Sequence, residues 1–163
     1  ERAETLAGRL AATLPKALGR PIMVRAVSDR EAAVAGADIV SCATLSTSPL
    51  VEGAWLHEGQ HLDLVGAYTS RMRESDDEAV RRSSLYVDTW AGALQEAGDI
   101  VQPLANGTIG EADIIADLFE LTRGQKAGRA AGDTSAITLF KSVGAALEDL
   151  AAAELAAFPP PPA

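Results

Sequence analysis

The chain has 163 residues, of which 47% are hydrophobic and 23% charged, and its formal net charge is -9 at pH 7. This length allows one domain with its own core but not two large ones. The negative charge argues against nucleic acid or an anionic membrane as a partner, because phosphate binding depends on Lys and Arg. No apolar run approaches the roughly 20 residues that span a bilayer, and a single cysteine excludes an internal disulfide. We therefore expect a cytoplasmic protein.

The N-terminal part predicts a helix, a strand and a second helix in that order. Leucines spaced four residues apart predict an amphipathic helix over residues 1–14, which Pro15, Gly19 and Pro21 end. Residues 22–27 alternate apolar and polar side chains, as a half-buried strand does. A capping box that begins at Ser28 predicts a short helix through Ala35.

The rest of the chain continues the alternation. We predict strands over residues 38–43, 61–66, 85–88 and 137–140, and helices over 75–82, 89–98, 111–121 and after Ser142, which would cap the last helix. Residues 125–135 are rich in Gly and Ala and read as a mobile linker, and residues 159–162 are a polyproline tail. Strands alternating with helices of about ten residues predict an α/β fold, an incomplete doubly wound parallel sheet flanked by helices. Ligands of such sheets bind beyond the carboxyl ends of the strands.

Two segments at predicted strand ends could bind a ligand. The stretch from Cys42 to Pro49 carries four hydroxyl side chains just after a buried strand. These hydroxyls could bind the ribose or amide of a dinucleotide, or they could satisfy their own loop backbone. In the second segment, Gly66 and Ala67 would leave a strand exit open to a flat ring, unless the strand merely ends at a glycine.

Several short motifs occur in one order along nearly the whole chain. They are Asp38–Thr44 with Ser46, Trp55, Gly59–His61, Val65–Ala67 with Arg73–Glu74, Tyr86–Asp88, Glu96–Asp99, Gly124, Gly128–Arg129, Thr138–Gly144 and Glu148–Asp149. In order, spacing and wording they resemble the ornithine cyclodeaminase/mu-crystallin family. The resemblance implies a Rossmann-type domain that binds NAD or NADP, paired with a dimerising substrate domain. Such enzymes reduce cyclic imino acids or oxidise amino acids, and one branch cyclises ornithine to proline.

The resemblance also implies which residues form the site. The expected cofactor-binding residues are Ala43, Thr44, Ser46, Val65, Gly66, Ala67 and Ser142, and the expected catalytic residue is Tyr68. The ornithine-cyclising branch has an aspartate where this chain has Tyr68. Because a phenol does not replace a carboxylate as a proton acceptor near neutral pH, we expect imine reduction or amino-acid oxidation of a small substrate, as in a ketimine reductase, rather than ornithine cyclisation.

The chain departs from the family pattern at its beginning. The family's Gly-rich phosphate loop and its substrate domain are not among these residues, and residue 1 already lies in a predicted helix. We therefore expect residues 1–157 to be the C-terminal portion of a longer protein, a dinucleotide-binding domain without its first strand, with residues 158–163 as a Pro-rich tail. The alternative is a non-catalytic remnant that folds or oligomerises without binding cofactor.

A third hypothesis is a zinc hydrolase, because residues 57–61 read His-Glu-Gly-Gln-His. That chemistry needs both histidines on one helical face. Gly59 and the strand that follows oppose such a helix, so we predict no metal site and read His57 and His61 as ordinary loop and strand residues.

The remaining charged groups and the cysteine have structural interpretations. Cys42 lies in a buried strand and is expected to pack in the core. Lys141 would either approach a ligand at the sheet edge or be solvated. The acidic runs 74–78 and 96–99 are expected to cap helices and face water, and Arg73 to be a solvated loop charge.

Overall fold

Five short strands form one parallel sheet in the computed structural model, which describes residues 1–158. The strands are β1 Ile39–Cys42, β2 His61–Leu64, β3 Ser84–Val87, β4 Ile114–Asp117 and β5 Thr138–Lys141. Their order across the sheet is β1-β2-β5-β3-β4, so the last strand of the chain occupies the centre. The predicted α/β fold with a parallel sheet is confirmed.

Seven α-helices accompany the sheet within the described residues. They are α1 Arg2–Leu18, α2 Arg30–Ala35, α3 Asp77–Arg82, α4 Trp90–Gln95, α5 Gly98–Ala105, α6 Leu118–Thr122 and α7 Ala146–Ala157. In this part of the chain, no helix is both long and apolar enough to cross a membrane. The predicted polyproline tail, residues 159–162, lies outside the described residues.

The hydrophobic core covers one face of the sheet. Along β2, Leu62 and Leu64 are fully buried, whereas His61 and Asp63 between them are only half-buried, because successive side chains of a strand point to opposite faces. The buried face packs with apolar residues of α3, α4 and α5 in one cluster. Both tryptophans, Trp55 and Trp90, pack against this cluster.

Two N-terminal predictions were wrong. Residues 22–27 run without strand pairing, although Ile22 and Val24 are half-buried and Met23 is exposed. A strand requires a hydrogen-bonding neighbour, and none of the described segments pairs with this one. Helix α1 continues through Pro15 and ends at Gly19, which adopts the left-handed conformation with φ 62°. The carbonyl group that Pro15 leaves without an amide belongs to the exposed Ala11, so water can solvate it.

The predicted helix over residues 111–121 was also wrong. A 3-10 turn at Glu111–Asp113 leads into β4, and only then does α6 begin. The carboxylate of Asp117 accepts a hydrogen bond from the amide of Glu120, whose own carboxylate accepts one from the Asp117 amide. This capping box marks the start of a helix. Asp117, which the sequence placed inside a helix, therefore lies at the boundary between β4 and α6.

The helix caps are close to prediction. Asp29 and Asp76, each one residue after the predicted serine, accept hydrogen bonds from the amides of Ala32 and Ala79. Thr89 caps α4 as predicted.

The predicted linker 125–135 is attached to the sheet, because Arg129 donates hydrogen bonds to the backbone carbonyls of Gly59 and Gln60.

Candidate functional site at the carboxyl ends of the strands

The ends of four strands lie level with one another. Cys42 pairs with Leu64, Leu64 pairs with Lys141, and Lys141 pairs with Val87. Beyond these ends the loops stay in contact: the Ala67 amide donates to the carbonyl of Thr44 (3.3 Å), and the Ser142 amide donates to the carbonyl of Leu64 (3.0 Å). The segments that carry the predicted residues after β1, β2 and β5 are therefore neighbours at one edge of the sheet.

Gly66 is the point at which the loops after β1 and β2 are packed most closely. A Cβ atom built on it would lie 2.1 Å from the Thr44 carbonyl oxygen and 2.3 Å from Oε1 of Glu74. The glycine thus lets two backbones and a carboxylate approach one another, rather than leaving an open space for a ring. Ala67 follows in the left-handed region with φ 49° and is fully buried.

The predicted hydroxyl groups are engaged within the protein. The amide and the hydroxyl of Thr44 both donate to Oε1 of Glu74, at 2.5 and 2.7 Å. The hydroxyl of Ser46 donates to the carbonyl of Ser48 at 2.6 Å. For Ser46 the structure shows the local backbone contact that was the alternative interpretation, whereas Thr44 binds the carboxylate of Glu74, a residue expected to face water.

Ser142 does not cap α7. The residue at the cap position is Ala145, and no side chain there accepts a hydrogen bond. The Ser142 hydroxyl instead donates to Oδ2 of Asp88 at 3.0 Å, and the same oxygen accepts the amides of Val143 (2.8 Å) and Gly144 (2.9 Å). A carboxylate at the end of β3 therefore shapes the turn after β5, and Gly144 in that turn has φ 86°.

A shallow crevice opens beside this turn, at the ends of β3 and β4. Its volume is about 210 Å³, and apolar side chains such as Leu118, Phe119 and Leu147 line it together with Asp88. The crevice extends the carboxyl edge of the sheet from the Ser142 turn towards α6.

Three charged side chains beneath the edge are fully buried, and we call Glu74, Asp99 and Lys141 the buried ion cluster. The interpretation of Glu74 and Asp99 as water-facing helix caps was wrong, and so was the solvated alternative for Lys141. Oδ1 of Asp99 accepts the amides of Glu74 (2.9 Å) and Ser75 (2.8 Å). Nζ of Lys141 lies 3.7 Å from Oδ2 of Asp99 and donates to the carbonyls of Leu64 (3.1 Å) and Gly66.

Arg73 is buried as well, in contrast to its prediction as a solvated charge. Its guanidinium group donates to the carbonyl of Ser75 at 2.6 Å and pairs with the carboxylate of Asp77 at the start of α3. These contacts fix the segment between the second strand end and α3.

Burial is the largest influence on the pKa values of Asp99, Lys141 and Cys42. It raises the pKa of the Asp99 carboxyl and lowers the pKa of the Lys141 ammonium, although each charge opposes the shift of the other. Burial, followed by the negative charges of Glu74 and Asp99, raises the pKa of the Cys42 thiol to about 11. Cys42 is thus a packing residue against the core and a poor nucleophile, as predicted.

Other side chains at the edge face solvent. Leu45 is 67% exposed, Val65 45% and Tyr68 47%. Ala43, directly after β1, is exposed as well. An apolar surface is therefore present at the ends of β1 and β2, with one phenol beside it.

The two histidines of the zinc-like motif do not share a helix. His61 begins β2, and its Nδ1 lies 2.8 Å from the hydroxyl of Thr138. His57 lies in the preceding loop, with Nδ1 2.8 Å from the carbonyl of Glu58. The arrangement is the loop and strand that the sequence predicts, and it lacks the helical face that zinc-protease chemistry requires.

Comparison with known proteins agrees with this architecture. The sequence matches the ornithine cyclodeaminase/mu-crystallin family over residues 2–157. It is 42% identical over 125 residues to a Delta(1)-pyrroline-2-carboxylate reductase of Paracoccus denitrificans, covering 77% of this chain and 39% of the relative. It is 40% identical over 132 residues to the ketimine reductase mu-crystallin of Mus musculus, covering 81% and 39%.

Among solved structures, the Thermococcus litoralis Delta(1)-pyrroline-2-carboxylate reductase in complex with NADH and L-proline superposes with a TM-score of 0.83. The two sequences are 41% identical, and the match covers 93% of this chain and 46% of that one. The chain thus spans less than half the length of these relatives. By sequence match and by fold, the chain belongs to the ornithine cyclodeaminase/mu-crystallin family.

Proposed function

We propose that this chain is the cofactor-binding and C-terminal part of an NAD(P)-dependent oxidoreductase that acts on a small cyclic imino acid or amino acid. The observation that carries the proposal is the contact between the strand-end loops after β1, β2 and β5, which carry the predicted residues. The solved relative from Thermococcus litoralis, in complex with NADH and L-proline, supports the same cofactor and substrate class.

The residues that would hold the dinucleotide are Ala43, Thr44, Ser46, Val65, Gly66, Ala67 and Ser142. The chemistry of the edge fits a nicotinamide ring, because exposed apolar side chains (Leu45 and Val65) can cover one side of a flat ring and exclude water. Thr44 and Gly66 act through the position of their backbone, since the Thr44 hydroxyl hydrogen is bound by Glu74. When bound, nicotinamide supplies or accepts the hydride at the carbon that bears nitrogen.

Tyr68 is the proposed catalytic residue of this chain. Its side chain is 47% exposed at the end of β2, next to the apolar surface. A phenol can orient a substrate nitrogen or carboxylate by donating a hydrogen bond, but it does not act as a base near neutral pH. Because Tyr68 stands where the ornithine-cyclising branch has an aspartate, reduction of a cyclic imine, or the reverse oxidation of an amino acid, is favoured over ornithine cyclisation.

The first experiment measures cofactor binding by thermal unfolding and NADH fluorescence, with NADPH in parallel. At a cofactor concentration 100-fold above Kd, binding stabilises the folded chain by about 2.7 kcal/mol. For a chain of this size, that raises Tm by about 5–11 °C. Absence of any shift at millimolar cofactor would contradict the proposal and is the result expected of a chain that folds without holding dinucleotide.

A pair of variants locates the binding site. Val65→Lys introduces a charged side chain at the proposed ring surface and should abolish the cofactor-dependent shift. Leu155→Lys introduces the same side chain at a position that is 61% exposed near the end of α7 and should preserve the shift. Equal effects of the two variants would contradict the location of the site.

The second experiment tests the substrate class. In a longer form of the protein that includes the substrate domain implied by the resemblance, a cyclic imino acid such as Delta(1)-pyrroline-2-carboxylate should cause net NADH or NADPH oxidation, and Tyr68→Phe should reduce the rate without changing cofactor affinity. Proline formation from ornithine, without net cofactor oxidation, would contradict the assignment.

The proposal extends to assembly and compartment. On the family resemblance we propose a homodimer in a longer form of the protein, which light scattering of that form tests. The single cysteine favours a reducing compartment, so we propose the cytoplasm.

A further inference from the structure

We propose that the buried ion cluster of Glu74, Asp99 and Lys141 is a positioning device that holds the loops after β1 and β2 in the arrangement that binds the nicotinamide end of the cofactor. The inference rests on the proposed function and assigns a role to three residues that do not face the ligand. Each residue of the cluster contacts the backbone of the edge directly or holds the segment that does.

Glu74 connects the loops after β1 and β2. One oxygen, Oε1, accepts both the amide and the hydroxyl of Thr44. The same oxygen would be 2.3 Å from a Cβ atom on Gly66, so the carboxylate lies in contact with the second loop. A charge-assisted hydrogen bond is about twice as strong as a neutral one, so these two contacts define where Thr44 stands.

Lys141 holds the second loop from the central strand. Its Nζ donates to the carbonyls of Leu64 and Gly66, and the Leu64 carbonyl also accepts the Ser142 amide. A single buried ammonium group therefore links the end of β5 to the last residue of β2 and to the peptide beyond it. Without this group, the peptide between Gly66 and Ala67 would keep only the hydrogen bond from the Ala67 amide to the Thr44 carbonyl.

Asp99 holds the segment that presents Glu74. Its Oδ1 accepts the amides of Glu74 and Ser75 and, at 3.1 Å, the hydroxyl of Ser75. Asp99 lies in the first turn of α5, where the helix dipole favours a negative charge. Helix α5 thus fixes the position of Glu74 through Asp99, and Glu74 in turn fixes the loop after β1.

Stability alone does not account for these charges. Among the described residues, Oε2 of Glu74 and Oδ2 of Asp99 have no hydrogen-bond partner, and the ammonium group of Lys141 lies 3.7 Å from the Asp99 carboxylate, beyond hydrogen-bond distance. Buried ion pairs are often no more stabilising than apolar side chains of the same volume. The cluster also fixes the orientation of the backbone around Thr44 and Gly66, because its hydrogen bonds converge there.

The test compares two ligands that differ in the nicotinamide end. Glu74→Gln and Lys141→Met are titrated with NADH and with ADP-ribose, which lacks nicotinamide. Their matched controls are Glu78→Gln, in an exposed pair with Arg81, and Lys126→Met, an exposed side chain. We expect each cluster variant to weaken NADH about tenfold or more and ADP-ribose less than about twofold. The controls should change neither affinity.

A second readout needs no ligand. Hydrogen exchange at the amides of Thr44 and Ala67 should accelerate in both cluster variants, whereas exchange in β3 should match the parent chain. If Lys141→Met does not fold, the isosteric Glu74→Gln carries the test by itself. Equal loss of both ligands, or faster exchange throughout the sheet, would show a general structural role and overturn the inference.

The outcomes separate the inference from the function on which it rests. A parent chain that binds neither NADH nor ADP-ribose contradicts the proposed function, and the inference falls with it. A parent chain that binds both, with cluster variants that bind NADH equally well, contradicts the inference alone.

Discussion

Replacing Gly66 with alanine tests the packing of the carboxyl edge most directly. The added Cβ would lie 2.1 Å from the Thr44 carbonyl oxygen, 2.3 Å from Oε1 of Glu74 and 2.5 Å from the Thr44 amide nitrogen. Cβ atoms essentially never approach backbone atoms below 3.0 Å, so the loop after β1 or the Glu74 carboxylate must move. Glu74 cannot swing away freely, because it is fully buried.

The expected cost has two parts. Overpacking of a filled site costs about 1–3 kcal/mol. Displacing Thr44 from Glu74 weakens charge-assisted hydrogen bonds worth about 1.5–3 kcal/mol each. We expect Gly66→Ala to lose about 3 kcal/mol of unfolding free energy, which lowers Tm by about 6–12 °C in a chain of this length.

Thermal unfolding followed by circular dichroism measures this effect, and urea unfolding gives the free energy directly. The control is Gly128→Ala, because a Cβ at Gly128 meets nothing within 4 Å and its Tm should stay within about 2 °C of the parent. A Gly66→Ala variant that melts together with Gly128→Ala would refute the packing argument. The same variant should also bind NADH more weakly, since Thr44 is displaced.

Three further predictions concern other parts of the fold. Asp76→Ala removes an oxygen that accepts the amides of Gly53 and Ala79, so unfolding free energy should fall by about 1–2 kcal/mol in urea titrations, and an unchanged midpoint would contradict the cap. Cys42, with its pKa raised to about 11, should react with a disulfide reagent at pH 8 on the order of 100 times more slowly than an unperturbed thiol, and rapid labelling would count against its burial. Burial lowers the pKa of His61 below 6.5, so its contribution to stability is present above pH 6.5 and is lost as pH falls through the lower folded value. The dependence of unfolding free energy on pH between 7 and 5 should therefore become weaker in His61→Gln. An unchanged dependence would disprove the lowered pKa of His61.

The titration of His61 should not affect the carboxyl edge of the sheet. Since His61 begins β2 at the opposite end from Gly66, its titration should leave cofactor affinity unchanged. Cofactor affinity measured across pH 7 to 5 in the parent and in His61→Gln therefore separates the two ends of the strand. A shared pH dependence would indicate coupling along β2.

Local patterns were reliable where the physical cause is local. Short runs rich in apolar residues predicted β1, β2, β3 and β5. The expectation that β1 is a buried strand was wrong, because one of its faces is exposed, and β2 is fully buried on one face only. Polar residues before apolar runs predicted the starts of α2, α3 and α4 to within one residue, because a capping oxygen serves amides only three positions away. The segment 22–27 shows the limit, since its alternation is that of a strand but no neighbour pairs with it.

Burial of charge could not be predicted from neighbouring residues. Glu74 precedes a run of acidic residues that cap α3, and Asp99 lies at the start of α5, so both look like solvent-facing caps. The partner of Asp99 is Lys141, which lies 42 residues further along the chain and reaches it only because β5 inserts between β2 and β3. The prediction for Ser142 was wrong for the same reason, since its partner Asp88 directly follows the adjacent strand β3.

By itself, the sequence determined the class of fold, the strand ends at which the proposed site lies, and the family, because these follow from periodicity, caps and motifs read within a few residues. The tertiary structure alone decided the strand order and which charged groups lie beneath the site. A strand that is last in the chain and central in the sheet brings together groups from segments far apart in sequence, and no local pattern records such a contact.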